Sequence, residues 1–194
     1  MKRGEATGAI VGARLRKQLV FALSAVAGCG LAGALLAAAH ICSGAVLFGG
    51  LCGIGAALLT RDPAASDLEL CEQSAPLYGR ELARARAGVP CAIVTAALLA
   101  YWLCALSAAI PRPECVALSL AVCYAATVTA LCATVRQGRS AALYVTLGAL
   151  LAAAAVFVQS AAWQIVVSAT LIYAAIGFAA LRQYGEALAR YDPI

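Results

Sequence analysis

Six long apolar blocks divide the chain, and most of the joints between them are short and polar. The blocks cover residues 19–39, 44–60, 89–110, 115–135, 141–159 and 161–181. A helix needs about 20 apolar residues to cross the hydrocarbon core of a bilayer. The strands of a membrane β-barrel would be about ten residues long and would alternate in polarity, which these blocks do not. The pattern therefore predicts six transmembrane α-helices.

The composition agrees with this pattern. Hydrophobic residues make up 64% of the 194 residues and charged residues 12%, whereas soluble domains are about half apolar and a quarter charged. Six spans leave little of the chain over. We therefore expect an all-α integral membrane protein with a single transmembrane domain, residues 1–194, and no separate soluble enzymatic domain.

The basic residues predict the orientation of the spans. With six spans, thirteen of the fourteen Lys and Arg fall on one side, and only Arg112 falls on the other. Cytoplasmic loops collect Lys and Arg, so both termini and the segment 62–88 are expected to be cytoplasmic. The net charge of +5 is then explained by topology and by contact with anionic lipid head groups, and not by binding to nucleic acid.

The N-terminal region is also basic. Residues 8–17 predict a short basic amphipathic helix along the cytoplasmic interface before the first span. The first apolar block has full span length, so it is interpreted as an anchor and not as a cleavable signal peptide.

The segment 62–88 is the longest polar stretch between two spans. Asp62 and Pro63 favour a helix start, Ser66 and Glu69 have the spacing of a capping box, and Pro76 ends the helix that follows.

A second helix is predicted for residues 79–87, with Gly88 at its end and Pro90 opening the third span. The segment is thus expected to form a short cytoplasmic helix, elbow and helix between spans two and three. It is either an ordered interfacial loop or a docking element for a cytoplasmic partner.

The residues that could bind a metal or take part in catalysis are interpreted as structural. None of the nine cysteines is spaced as C-x-x-C, and most lie in apolar blocks, where Cys packs as a small hydrophobe. His40 is the only histidine, and one imidazole makes no metal site. No charged residue falls in the middle of a block, which argues against proton-coupled transport. No phosphate-binding loop is present.

Small polar residues and glycines within the blocks also predict packing. Hydroxyl side chains in apolar helices usually bond to their own helix backbone or to a neighbouring helix; here they are Ser24, Thr95, Ser107, Thr127, Thr129, Ser168 and Thr170. Gly49 and Gly53 form a G-x-x-x-G pattern in the second block, and the first block holds Gly28, Gly30 and Gly33. These glycines predict close packing between the first two spans.

The layout resembles a family of membrane permeases. An acidic Leu-Glu-Leu helix after span two, a Ser-Ala-Pro elbow and a Gly-Arg-Glu-Leu helix before span three resemble the membrane subunits of ABC-2 type ATP-binding cassette exporters. The chain is most similar to the small six-span permeases related to the haem-exporter subunit of cytochrome c maturation. A short basic turn at residues 135–140 adds to the similarity. An outer loop between spans five and six is missing, which removes the basis for any outer gating helix.

The resemblance implies a function, a partner and a contact site. The chain would be the permease subunit of an exporter in the bacterial cytoplasmic membrane. It would pair with a second permease subunit and be driven by a separate cytoplasmic ATPase. It would itself be no enzyme and hold no cofactor; ATP and Mg²⁺ would bind in the partner. The residues implied to contact the ATPase are Leu68, Glu69, Leu70, Ser74, Ala75, Pro76, Leu77 and Tyr78.

An alternative role uses the same segment. The chain could be a non-transporting membrane scaffold or assembly factor that recruits a cytoplasmic partner through residues 62–88. Co-purification of an ATPase separates the two hypotheses. The transported substrate does not follow from the sequence.

Overall fold

The computed structural model describes residues 3–38, 44–61, 79–106, 112–135 and 139–190. In these ranges every regular element is helical, with seven α-helices and one 3₁₀ turn. The elements are α1 (Arg3–Lys17), α2 (Leu19–Ala38), α3 (Gly44–Leu58), the 3₁₀ turn Leu59–Arg61, α4 (Gly79–Ala105), α5 (Pro113–Val135), α6 (Arg139–Val158) and α7 (Trp163–Arg190).

Five of these helices, α2, α4, α5, α6 and α7, are long and apolar enough to cross a membrane. The chain is therefore a helical membrane protein, as predicted. The second apolar block forms the shorter α3, whose 15 residues rise about 22 Å. The 3₁₀ turn that follows directly extends it by about 6 Å.

Helices α3 and α4 run in opposite directions. Ala45, near the start of α3, shares a buried cluster with Tyr101 near the end of α4. At the other end of the bundle, Ala57 of α3 shares a cluster with Ala83 of α4. Ala32, near the end of α2, lies in the same cluster as Ala45 and Tyr101, so α2 runs parallel to α4.

The remaining helices continue this alternation. Leu118 and Val166, near the starts of α5 and α7, share a cluster with Ala155 near the end of α6. Val46, near the start of α3, belongs to the same cluster. Helices α2, α4 and α6 therefore run one way through the bundle, and α3, α5 and α7 run the other way.

Helix α5 is the centre of the bundle. It packs against α3, α4, α6 and α7, and residues 125–133 are buried without interruption, so every face of this part of α5 is covered. Helices α2, α6 and α7 are peripheral and expose large apolar side chains, among them Val20 (81% exposed), Phe157 (80%) and Phe178 (73%). In a membrane protein such side chains face lipid.

Helix α4 corrects the prediction of a separate helix at residues 79–87. It continues from Gly79 through Gly88 and Pro90 to Ala105, so the second helix of the predicted elbow is the first part of the third span. A proline inside a helix costs about 3 kcal/mol, because it removes one hydrogen bond and crowds the preceding turn. Burial on both sides of Pro90 offsets this cost; the fully or nearly fully buried residues are Ala83, Ala85, Ala87, Val89, Ile93 and Val94.

The predicted glycine contacts between the first two spans are present in part: Gly44 and Gly55 of α3 face Leu36 and Phe21 of α2, whereas other glycines pack against α4 and α5. A Cβ atom added to Gly33 of α2 would overlap the backbone of Tyr101 in α4. A Cβ added to Gly49 of α3 would lie 2.7 Å from a methyl group of Leu98 in α4 and 2.8 Å from the Cys123 sulfur in α5. The glycines thus bring α2 and α3 close to α4 and α5 more than to each other.

The predicted N-terminal helix is confirmed and is longer than expected. Helix α1 covers Arg3–Lys17 and has three basic residues in its last turn. It packs against α4, with Val11 against the buried Val89 and Ile93. Only Gln18 separates α1 from α2, and backbone hydrogen bonds from Gln18 to Arg14 and from Ala22 to Gln18 continue across the joint.

Candidate functional site

The residues predicted to contact a partner ATPase lie outside the described part of the chain. They are Leu68, Glu69, Leu70, Ser74, Ala75, Pro76, Leu77 and Tyr78, all within residues 62–78. The structure describes the two helices that this segment joins. The segment joins the turn after α3 to the start of α4.

The last turn of α3 and the first turns of α4 lie together at one end of the bundle. The chain leaves α3 through the turn Leu59–Arg61, where the Thr60 hydroxyl donates a hydrogen bond of 2.6 Å to the Ala57 carbonyl. It returns at Gly79, the first residue of α4. Ala57 and Ala83 share a buried cluster with the last turns of α5 and α7. Both ends of the segment are thus joined to the packed core of the bundle.

Basic residues from three helices meet at this end, which we name the basic end. They are Arg14 of α1, Arg86 of α4 and Arg182 of α7. Arg14 of α1 is only 4% exposed, and Arg86 of α4 is partly buried. Both lie near Tyr184 of α7, which is 1% exposed and whose hydroxyl faces Arg86 and Thr134. A buried tyrosine hydroxyl needs such partners. Tyr184 therefore ties α4, α5 and α7 together where residues 62–78 depart.

No pattern in the sequence pointed to this tyrosine. Tyr184 lies beyond the predicted end of the last span at residue 181, whereas α7 continues to Arg190. Arg14 was predicted to lie on an interfacial helix, and it is instead buried against the bundle. Both residues are placed by contacts between distant parts of the chain, which residue spacing does not reveal.

A cavity of about 200 Å³ opens between α4 and α7 at the basic end. Arg84 and Arg182 supply its charge; in the described part of the chain it is lined by Ala83, Arg84, Phe178, Leu181 and Arg182. The Arg182 Nε donates a hydrogen bond of 3.0 Å to Glu186 Oε1 one turn later. Arg112, by contrast, precedes the start of α5 and lies at the opposite end of the bundle.

The hydroxyl side chains in the spans bond to their own helices, as predicted. Thr127 and Thr129 of α5 donate hydrogen bonds of 2.6 Å to the carbonyls four residues earlier. Others that donate within their own helix are Ser24, Thr95, Ser168 and Thr170. Ser107 lies outside the described residues. The Thr95 hydroxyl also contacts the Tyr124 hydroxyl of α5.

Two cysteines that are far apart in sequence are neighbours in the structure. The sulfur atoms of Cys29 in α2 and Cys52 in α3 are 3.5 Å apart. Two other cysteines contact carbonyl groups of adjacent helices. The Cys123 sulfur lies 3.8 Å from the Val46 carbonyl, and the Cys132 sulfur lies 3.5 Å from the Ala180 carbonyl. The cysteines thus lie at contacts between helices, which is what the packing interpretation predicts.

Residues that could bind a metal are not clustered in the described ranges. There, no group of three or more His, Cys, Asp or Glu side chains could hold a metal ion. His40, Cys42 and Cys71 lie outside these ranges.

A buried amide marks the opposite end of the bundle. Gln159, just after α6, is 7% exposed, and neither its side-chain oxygen nor its nitrogen has a hydrogen-bond partner in the described structure. Its backbone carbonyl faces the Cys115 sulfur at 3.9 Å, which places it beside the start of α5.

No family model gives a significant match to the chain, and neither does any curated protein or any solved structure.

Proposed function

We propose that this chain is the permease subunit of an ABC-2 type exporter and that a separate cytoplasmic ATPase docks on residues 62–88. The observation that best supports this is the continuity of α4. The segment 62–78 leads directly into a helix that runs without a break from the basic end to the opposite end of the bundle. A contact made on the segment would therefore act on a spanning helix and not on a detached loop.

The packing of α4 supports a route by which such a contact would move the bundle. Its 27 residues extend about 40 Å. It packs against α1, α2, α3, α5 and α7. Near its far end, Tyr101 shares a buried cluster with Cys29 and Ala45 of the two helices beside it. Closure of the ATPase would displace the start of α4. Helices α2 and α3 would move with it, because they pack against it. This is a two-state mechanical coupling.

The proposed topology has six crossings. In it, α3 and its 3₁₀ turn cross the membrane as the second span, between α2 and α4. Its short length is tolerable because nine of its 15 residues are buried among neighbouring helices and need no full-length lipid contact. Both termini and the basic end would then be cytoplasmic, in the cytoplasmic membrane of a bacterium.

The proposed substrate path lies between two subunits. The centre of the described bundle is filled by α5, which leaves the peripheral helices as the surfaces that can border a path. A second permease subunit, identical or different, would supply the other wall. ATP and Mg²⁺ would bind only in the ATPase.

Affinity purification in a mild detergent, followed by mass spectrometry, tests this function. We expect an ATP-binding cassette subunit in a fixed ratio to the chain, together with a second permease subunit. A partner without a nucleotide-binding domain would instead support the scaffold hypothesis. If the chain were purified as a complete assembly that contains no ATPase, the permease proposal would be wrong.

A further inference from the structure

The cavity between α4 and α7 differs in chemistry from the rest of the basic end. Its volume of about 200 Å³ is several times the roughly 30 Å³ that one water molecule occupies in the liquid. Two arginines line it together with Phe178 and Leu181. It therefore offers positive charge and apolar surface within one opening.

The arginines of the cavity are available to a ligand. Arg84 is exposed and makes no hydrogen bond or ion pair within the described structure. Arg182 is 65% exposed, and within the described ranges it bonds to Glu186 through Nε, which leaves its two terminal nitrogens to a ligand. Arg14 and Arg86, by contrast, already interact within the protein. Guanidinium groups of this kind bind phosphate through two parallel hydrogen bonds.

The depth of these residues matches the polar boundary of a bilayer. Arg182 directly follows the last apolar block, and Arg84 precedes the third block by five residues. Phe178 lies one turn before Arg182, on the same face of α7, and is 73% exposed. Glu186 lies one turn farther from the apolar part. From the apolar block toward the end of α7, the order is thus apolar Phe178, basic Arg182 and acidic Glu186.

We propose that this cavity binds the phosphate of an anionic phospholipid, with Arg84 and Arg182 on the phosphate and Phe178 against the acyl chain. Basic pockets between transmembrane helices are known to bind anionic head groups. The apolar wall distinguishes this site from one for free phosphate, because a free anion gains nothing from Phe178. The proposal concerns the described helices alone and does not depend on the permease function.

Lipid titration followed by native mass spectrometry tests the site. The delipidated protein in a nonionic detergent is titrated with phosphatidylglycerol or with phosphatidylcholine of the same acyl chains. We expect the first phosphatidylglycerol to bind about tenfold or more tightly than phosphatidylcholine. The variant Arg84→Gln/Arg182→Gln should lose this preference, since each basic side chain near the surface contributes enough for a several-fold effect.

A charge-matched variant is the control. Arg16→Gln/Arg112→Gln removes the same net charge from exposed positions outside the cavity and should keep the preference. Phe178→Ser should weaken phosphatidylglycerol binding although it leaves the charge unchanged. If the double variant of the cavity does not fold, Arg84→Gln alone carries the test, because it breaks no contact in the described structure.

Three results would overturn the proposal. Equal binding of the two lipids would show that there is no site for an anionic head group. Equal loss in the cavity variant and in the charge-matched variant would indicate general surface attraction. Displacement of the lipid by millimolar inorganic phosphate, with no effect of Phe178→Ser, would identify a site for the free anion.

Discussion

At the residue scale, small side chains determine how closely the helices approach. Gly33 of α2 faces the backbone of Tyr101 in α4, whereas Gly28 of the same helix has no atom within 4 Å of the position that a Cβ would take. The sequence predicted that both glycines pack against the second span, whereas Gly33 packs against α4 and Gly28 has no close neighbour among the described residues. The spacing of glycines along one helix indicates a face of small residues. Which neighbouring helix packs against this face depends on the tertiary fold.

Replacement of these two glycines by alanine should give opposite results. In Gly33→Ala the new methyl group meets a backbone that cannot move away by rotating a side chain, so we expect a loss of about 1–3 kcal/mol in the free energy of unfolding. Gly28→Ala should cause no loss, since alanine favours helices. Thermal unfolding in detergent measures both. Equal stability of the two variants would contradict the close contact between α2 and α4.

The thiols of Cys29 and Cys52 give a second test at this scale. Their sulfur atoms are 3.5 Å apart, and a disulfide bond requires about 2.05 Å, so a small movement suffices. A membrane-permeant oxidant such as diamide should accept two electrons and two protons from the pair and leave an intramolecular disulfide. Peptide mass spectrometry should detect the cross-link between Cys29 and Cys52 in preference to any pair that includes Cys91. Its absence would show that α2 and α3 are farther apart.

At the scale of the elements, the spans could be predicted and the joint before α4 could not. The apolar blocks matched α2, α3, α5 and α6 to within two residues at each end, because a bilayer requires long uninterrupted apolar stretches. Gly88 and Pro90 predicted a break, yet α4 continues through both. Burial of its first turns against other helices outweighs the local preference. The sequence also placed the end of the last span at residue 181, although α7 continues to Arg190.

The alternation of the helices makes a prediction about accessibility. Arg84 and Arg182 line one cavity at the basic end, and Arg112 lies at the opposite end of α5. Single cysteines are introduced at positions 84, 182 and 112 in a cysteine-poor background and exposed to a membrane-impermeant maleimide. In intact cells we expect labelling at position 112 only. Labelling at 84 and 182 should require permeabilised membranes.

The result that would contradict this topology is labelling of positions 84 and 112 from the same side of the membrane. Helix α4, which joins these two positions, would then fail to cross, and the proposed six-span arrangement would be wrong. Glu186→Cys, one turn beyond Arg182 on an exposed part of α7, serves as an independent position at the basic end.

At the scale of the whole molecule, the bundle has one end built from buried and exposed arginines and an opposite end with few charges. The segment 62–78 begins and ends at the basic end, between α3 and the unbroken α4. The composition was enough to predict a membrane bundle. It could not predict the cluster around Tyr184, because that cluster joins α1, α4, α5 and α7 across the fold. The central claim is that a partner ATPase acts on α4 through this segment.

The double variant Leu70→Ala/Tyr78→Ala tests this claim most directly. Its matched control is Leu103→Ala/Phe157→Ala, which removes similar apolar area from exposed positions on α4 and α6. Both variants are purified with the partner ATPase, and complex formation and ATP hydrolysis are measured. Apolar anchors at an interface typically contribute about 1–3 kcal/mol each. We therefore expect the loop variant to insert normally but to lose the ATPase and its stimulated hydrolysis, while the control retains both. Unchanged affinity and hydrolysis in the loop variant would contradict the account.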